Sequence, residues 1–330
     1  GELPDLLREH HLRFESPLVV ASPTSARLAG DTVARSLGAA ACVVVRDNAS
    51  SSLAAVRSAI RERRADAVIG VGGGTPLDVA KFVAAGERVS FLSVPTTPSN
   101  DGIASPIAVV RERDRPESLA AAMPIGVIAD LDVLREAPIA CVRAGVGDLL
   151  ANVSAVADWE LACRRGHDRM DDFARLLALA GAEAMLRFAD ASDAADLRSL
   201  DLLETLINGL VLSGVAMEIA GSSRPASGAE HLFSHALDRI AARPAMHGTQ
   251  VGFGTLLMTG LREGNGDRLR DGMVRLGLPV RARDAGIDDD EVFESLLHAR
   301  ETRPDRYTLL DEITVTRERA RDVARATGVV

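Results

Sequence analysis

Over the first 139 residues, short apolar runs alternate with stretches of helical spacing. Residues 17–21 form an apolar run closed by Ser22-Pro23. A helical stretch follows to about Leu37, and a second run, residues 41–45, closes at Asp47-Asn48. The unit then repeats, with helical spacing over 51–64, an apolar run over 67–71, a helix over 78–85 and another run over 89–94. Strands separated by helices of roughly ten to fifteen residues predict a largely parallel sheet covered on both faces, which binds ligands at the C-terminal ends of its strands. Residues 106–110 and 125–129 read as further strands, the second closing the domain. Beyond about Ala140 the pattern changes to long alanine- and leucine-rich helices, over 148–163, 172–188, 196–219 and 228–241. The expected architecture is an α/β nucleotide-binding domain over residues 1–139, followed by an all-α domain over 140–330.

Composition narrows the class. The chain has 330 residues, 47% hydrophobic and 26% charged, enough to bury sizeable cores. With a net charge of −9 and no Lys/Arg block standing out, nucleic acid is not expected as a partner. The first residues, Gly1-Glu-Leu-Pro-Asp5, hold no basic stretch followed by an apolar run. No segment approaches about eighteen consecutive apolar residues, so no membrane span is expected and the expected location is cytoplasmic. Three cysteines, Cys42, Cys141 and Cys163, suggest neither a disulfide framework nor a thiolate metal site. Lys81 is the only lysine among 38 basic residues.

The strongest local signal for a dinucleotide is Val68-Ile-Gly-Val-Gly72-Gly73-Gly74-Thr75-Pro76-Leu-Asp78. Glycines let backbone amides approach a pyrophosphate, and the helix that follows offers unpaired N–H groups and the positive end of its dipole. Thr75 is the expected N-cap, with Pro76 at the first helical position and Asp78 completing a capping box. Asp47, at the end of the second strand, is a candidate acceptor for ribose hydroxyls, although turn aspartates are common. After the strand over 89–94 comes a polar, proline-stiffened loop, Pro95-Thr96-Thr97-Pro98-Ser99-Asn100-Asp101-Gly102, whose hydroxyls, amide and carboxylate suit a polar ligand.

The helical half carries candidate metal chemistry. Asp148 in Gly145-Val-Gly-Asp148, His231 in Glu230-His231-Leu-Phe-Ser-His235 and His247 in Met246-His247-Gly248 supply one carboxylate and two imidazoles. Such a set holds a divalent metal and leaves a coordination position open for water or a substrate oxygen. Each residue also has an ordinary reading: Asp148 and His247 as helix-start residues, His231 and His235 as a surface pair one turn apart.

Taken in order, these motifs resemble the sn-glycerol-1-phosphate dehydrogenase family of the iron-containing alcohol dehydrogenase and dehydroquinate synthase-like superfamily. The likeness rests on the glycine run through Lys81, residues 95–106, Gly145-Val-Gly-Asp148, residues 222–235, His247-Gly-Thr-Gln-Val-Gly252 and residues 303–311. The resemblance implies a nucleotide-binding domain, a helical metal- and substrate-binding domain and a cleft between them. It makes Asp148, His231 and His247 the metal ligands. Gly72, Gly73, Gly74, Asp78, Thr96 and Thr97 become dinucleotide contacts; Asp47 and Ser99 are cofactor-side candidates by their positions alone. Asp101 is the substrate-side aspartate and His235 the proton relay, while Asn152, Ser223 and Arg224 are phosphate-side groups. One departure stands out: relatives usually carry His-Gly-Glu where this chain has His247-Gly248-Thr249, which puts the tuning of the metal in question.

The activity this implies is reduction of dihydroxyacetone phosphate, or a related phosphorylated or phosphonylated carbonyl compound, by NAD(H) or NADP(H). Zn2+ is the expected metal, with Ni2+ and Fe2+ as alternatives, and the protein is expected to be a homo-oligomer, dimer or higher. The competing reading is a dehydroquinate synthase-like sugar-phosphate cyclase. That family surrounds its substrate with several lysines, and this chain has one. A third reading is a non-catalytic nucleotide-binding relative, against which the intact ligand set and glycine loop argue.

Overall fold

The structure, a computed structural model, describes residues 2–39, 42–112, 115–191, 195–264 and 266–330. The chain divides into two compact units: residues 1–98 with 102–137, and residues 138–330 with the short segment Ser99–Asp101.

The first unit runs α1 (Glu2–Glu9), β1 (Pro17–Ala21), α2 (Pro23–Ser25), a π turn (Ala26–Gly30), α3 (Asp31–Ser36), β2 (Cys42–Val44), α4 (Ser50–Arg63), β3 (Ala67–Gly72), α5 (Gly74–Glu87), β4 (Ser90–Pro95), β5 (Ile107–Glu112), β6 (Arg115–Ala120), β7 (Gly126–Val127) and α6 (Leu131–Arg135). Ala41, part of the predicted second strand, lies outside the described residues. Strands β2-β1-β3-β4-β7 form one parallel sheet. Every residue of β1 and β3 is buried, which is why both read as unbroken apolar runs rather than alternating ones. On one face Val19, Ala21, Ile69, Val71, Leu92 and Val94 pack with Leu7 and Val33. On the other, Leu77 and Ala80 of α5 lie so close to Gly70 that a Cβ there would meet them at 3.1 and 3.0 Å.

The strand expected over 106–110 forms, but in a different sheet. Residues 107–112 do not join the parallel sheet; they pair antiparallel with β6, which has no apolar alternation to announce it, in a separate two-stranded sheet. An antiparallel partner can follow after a very short connection, whereas a parallel one needs a crossover.

The second unit is helical: α7 (Ile139–Leu150), α8 (Asn152–Arg164), α9 (Asp172–Asp190), α10 (Leu200–Ala220), α11 (Ala229–Ile240), α12 (His247–Leu261), α13 (Asp267–Arg275), α14 (Asp289–His298), α15 (Leu309–Glu312) and α16 (Arg317–Ala326). Caps set several starts: Asp171 accepts from the Ala174 N–H, Ser199 from that of Leu202 and Thr316 from that of Arg319. The helix expected over 148–163 is in fact two, meeting at Ala151, so Asp148 sits in the last turn of α7 and caps nothing. Ile139–Arg164 and Leu200–Ala220 have the length and hydropathy of membrane spans, but 72% and 56% of those windows are buried within the protein, as befits core helices.

Candidate functional site

The metal-ligand candidates are brought together by a glycine-lined helix. On α12, a Cβ at Gly248 would lie 1.9 Å from the Ala144 carbonyl oxygen of α7, and one at Gly254 would lie 2.6 Å from the Glu230 carbonyl oxygen of α11. Helices α7 and α11 therefore rest directly on the α12 backbone, at a cost of about 0.5–1 kcal/mol in helix propensity for each glycine. The close approach delivers Asp148 from the last turn of α7, His231 from the first turn of α11 and His247 from the first position of α12 to one point.

There the Nε2 atoms of His231 and His247 each lie 3.8 Å from Asp148 Oδ1, and one ligand atom from each of the three residues falls within 4.8 Å of the others. Two nitrogen or oxygen ligands on one ion, at about 2.1 Å each, stand at most about 4.2 Å apart. Both 3.8 Å separations satisfy this as they stand, and the set as a whole needs to close by only about half an ångström. A carboxylate and two imidazoles, converging and buried or half-buried, fit a divalent cation.

The outer atoms of these ligands are held too. His231 Nδ1 lies 3.0 Å from Oε1 of Glu230, a fully buried carboxylate that also accepts the Gly228 N–H. His247 Nδ1 lies 3.2 Å from the Ser234 hydroxyl. Asp148 Oδ2 accepts the Asp101 N–H at 2.9 Å. These contacts leave Nε2 of each histidine and Oδ1 of Asp148 facing one another. Thr249 has no part in them; it lines a pocket of ≈480 Å³ with Arg143, Met246, Leu278 and Asp284.

Burial and charge shape the acid–base behaviour. Burial pulls His231 down, but the hydrogen bond and charge of Glu230, with Asp148 and Asp101, outweigh it and raise the imidazole above its usual range. Burial would raise Glu230, yet the His231 hydrogen bond and the Gly228 N–H hold it below the usual carboxylate range. Burial raises Asp148, opposed by the charge on His231. His247 is lowered to about 4, by burial and then by His231. His235 is lowered to about 3, by burial, then by His231 and His247, then by Arg303 and Arg239. Its ring stands 6.5 Å from that of His231 and 6.4 Å from that of His247.

Asp101 accepts the Ser213 hydroxyl at 3.0 Å, and Ser213 in turn meets the Asn152 amide at 3.2 Å. Asn152 is fully buried and also donates to the Ala178 carbonyl, so it stands behind Asp101 with its amide engaged. Ser223 accepts from Arg306, and Arg224 donates to Asp168 and the Tyr307 carbonyl, tying both residues into a network with the C-terminal segment.

In the first unit, β3 and β4 end side by side, with Gly72 in register with Pro95 and the Thr96 N–H bonded to the Gly72 carbonyl at 2.9 Å. Gly72 has φ +148°, and α5 begins two residues later. Gly73 is the N-cap and no side chain caps the helix; the Thr75 cap and its capping box do not form. The reason is local, because with Gly74 and Thr75 already helical, Pro76 falls in the first turn. Its lack of an N–H costs nothing there. The first amides of α5 are thus not taken by a side chain, and a Cβ at Gly74 would meet nothing within 4 Å. A Cβ at Gly73 would lie 2.8 Å from Thr97 Oγ1. Asp78 pairs at 3.4 Å with Lys81, whose fully buried ammonium also donates to the carbonyls of Gly102, Ser105 and Ile107. Asp47 Oδ1 accepts from Ser52 and the Ala49 N–H, so this oxygen organises the start of α4. Ser99 falls in the second unit, with Asp101.

Sequence reasoning passed over Glu230, Ser234 and Ser213. Glu230 had a visible signal, a carboxylate next to a candidate ligand in an otherwise apolar helix; serines at such positions carry none.

The sequence profile of the iron-containing alcohol dehydrogenases matches residues 1–138. A glycerol-1-phosphate dehydrogenase of Methanothermobacter thermautotrophicus, named for NAD(P)+, is 41% identical over 97% of this chain and 92% of its own length. One from Hyperthermus butylicus is 44% identical over 80% of this chain and 74% of its own. Among solved structures, a probable glycerol dehydrogenase from Sinorhizobium meliloti shares the fold, with a TM-score of 0.74 over 99% of this chain and 94% of its own at 24% identity. With relatives this similar over nearly its whole length, the chain belongs to the family of NAD(P)-dependent glycerol-1-phosphate dehydrogenases.

Proposed function

We propose that the protein reduces dihydroxyacetone phosphate, or a closely related phosphorylated or phosphonylated carbonyl compound, to the corresponding alcohol, sn-glycerol 1-phosphate in the first case, using NAD(P)H and zinc. The observation that carries this is the convergence of Asp148, His231 and His247 on one point, in a chain whose full-length relatives bear that name. When bound, a divalent metal supplies Lewis-acid polarisation of a carbonyl and the nicotinamide supplies hydride. Zinc suits one carboxylate and two imidazoles and brings no redox chemistry of its own.

The chain's residues do the rest. Asp148, His231 and His247 hold the metal. The amides at the start of α5, with Gly72, Gly73 and Gly74 beside them, receive the pyrophosphate, where no Cβ stands in the way. Asp101, steadied by Ser213, orients the substrate's polar end. His235 is neutral throughout the working range, because its imidazole titrates near about 3. Its part is therefore to relay a proton rather than to store one as imidazolium: one ring nitrogen would give its proton to the alcohol oxygen as the other takes one from solvent, so the ring stays neutral and changes tautomer. The sugar-phosphate cyclase reading is not favoured: the relatives are named dehydrogenases, and the single lysine is buried, bonded to backbone carbonyls and paired with Asp78.

The test is a substrate screen on the zinc-loaded protein, following NADH and NADPH absorbance with dihydroxyacetone phosphate, glyceraldehyde 3-phosphate, glycerol and phosphonylated ketones and aldehydes. Turnover of the phosphorylated or phosphonylated compounds is expected. Turnover of glycerol alone would overturn the substrate assignment.

A further inference from the structure

His231 lies between two buried carboxylates. Its Nε2 is 3.8 Å from Asp148 Oδ1, and its Nδ1 is 3.0 Å from Glu230 Oε1. Among the described residues neither carboxylate has an arginine or lysine partner; Asp148 pairs only with His231 and His247, and Glu230 only with His231. The contrast with Asp158 is sharp. That equally buried carboxylate, close enough to Glu230 to feel its charge, has the Arg262 guanidinium at 2.5 Å and the N–H groups of Ala229 and Leu309 besides.

Glu230 has been left with an expensive arrangement. It is fully buried, and Oε2 makes no hydrogen bond. Holding a carboxylate in the interior with one oxygen unbonded is destabilising, and an apolar residue in its place would be tolerated better. The fold also makes room for it. A Cβ at Gly228 would come within 2.9 Å of Glu230 Oε2, and one at Gly254 within 2.6 Å of its carbonyl oxygen. A carboxylate kept at such cost, with the His231 imidazole as its ion partner and Arg306 near enough to feel its charge, is placed to act through that imidazole.

We propose that Glu230 is the positioning residue of the metal site: it accepts the Nδ1–H of His231, fixes the tautomer that turns the Nε2 lone pair toward Asp148 and His247, and shares the charge of the divalent cation held there. This rests on the reading of Asp148, His231 and His247 as metal ligands. It also gives the site a carboxylate behind a histidine without any help from Thr249, which faces the pocket beside Arg143. At His247 the equivalent position is filled by the uncharged Ser234, so the two histidines are supported unequally.

The experiment is Zn2+ titration against a chromophoric chelator for wild type, Glu230→Gln and Ser234→Ala, with Co2+ absorption spectra and NADH affinity measured on the same samples. Glu230→Gln keeps the size of the side chain and removes its charge. Its zinc affinity is expected to fall about ten- to a hundredfold, with a changed Co2+ spectrum and unchanged NADH affinity, and Ser234→Ala is expected to lose less. Glu230→Gln binding zinc as tightly as wild type overturns the proposal and leaves the ligand set standing. A wild type that binds no divalent metal overturns both. Should Glu230→Gln not fold, 15N spectra of zinc-loaded wild type decide: Nδ1–H with metal on Nε2 of His231 supports the proposal, and the opposite tautomer overturns it.

Discussion

Gly147 and Gly248 touch backbone to backbone: a Cβ on Gly147 would lie 2.2 Å from the Gly248 carbonyl oxygen. Each glycine adjoins a ligand candidate, Asp148 in one case and His247 in the other, so the crossing of α7 and α12 sets the distance between those ligands. Gly248→Ala would push a methyl to within 1.9 Å of the Ala144 carbonyl oxygen, which cannot yield without moving α7. Stability is expected to fall by about 1–3 kcal/mol or more, and zinc affinity with it, as read from denaturant midpoints and metal titration. An alanine tolerated here at full stability would show that the helices do not lie this close.

The glycine loop gives a cleaner test at Gly74 than at Gly73. A side chain at Gly73 collides with Thr97 inside the protein, whereas one at Gly74 enters open space beside the uncapped start of α5. Gly74→Val should weaken NADH binding, followed by fluorescence titration, by tenfold or more (about 1.4 kcal/mol), while metal content stays at the wild-type level. Unchanged NADH affinity would reduce the loop to a packing turn.

Lys81 occupies a site that suits a compact cation. Three backbone carbonyls, those of Gly102, Ser105 and Ile107, converge on one ammonium, a geometry that the planar fork of arginine cannot meet. Lys81→Met strands those carbonyls and should cost about 3 kcal/mol or more; Lys81→Arg should also destabilise. Thermal unfolding of the two variants checks this, and a melting temperature unmoved by Lys81→Arg would refute the geometric argument.

His235→Asn separates proton transfer from metal binding. Zinc content and NADH affinity should stay near wild type while kcat falls by about a hundredfold. Because His235 titrates near about 3, the pH profile of kcat between about 5 and 8 should keep its shape in the variant. Loss of an ionisation from that range would place the His235 pKa far higher than its surroundings imply, and loss of zinc would make His235 a ligand.

Acid should destabilise the metal-free protein. His235 and His247 have folded pKa values of about 3 and about 4, below the ~6.5 of an unfolded chain, so the unfolded state takes up protons that the folded state refuses. The stability these two contribute is complete above about pH 6.5 and is lost as pH falls through 4 and 3. His231, raised by Glu230, acts in the opposite sense and offsets part of the loss. Urea midpoints from pH 7 down to about 4.5 should therefore decline, and His247→Gln should flatten the decline. A midpoint that rose on acidification would contradict the direction of both shifts.

Much of this protein was legible before folding. The unbroken apolar runs over 17–21 and 67–71, alternating with helical stretches, announced strands buried on both faces, because helices cover both sides of a parallel sheet. Gly72 to Gly74 announced a turn that backbone alone can make, and the ordered motifs around Asp148, His231 and His247 named the ligand candidates. What the sequence could not carry was anything set by atoms distant along the chain. The antiparallel pairing of β5 with β6 depends on a partner strand with no hydrophobic period of its own. The start of α5 at Gly74 was decided by the backbone at Gly73 rather than by the hydroxyl of Thr75. The low pKa of His235 comes from burial and from neighbours on α11, α12 and the C-terminal segment, so no local reading of an imidazole could foresee it. The support of His231 by Glu230 and of His247 by Ser234 exists only once α11 and α12 pack through their glycines, since hydrogen bonds of 3.0 and 3.2 Å are fixed by tertiary distance and not by residue type.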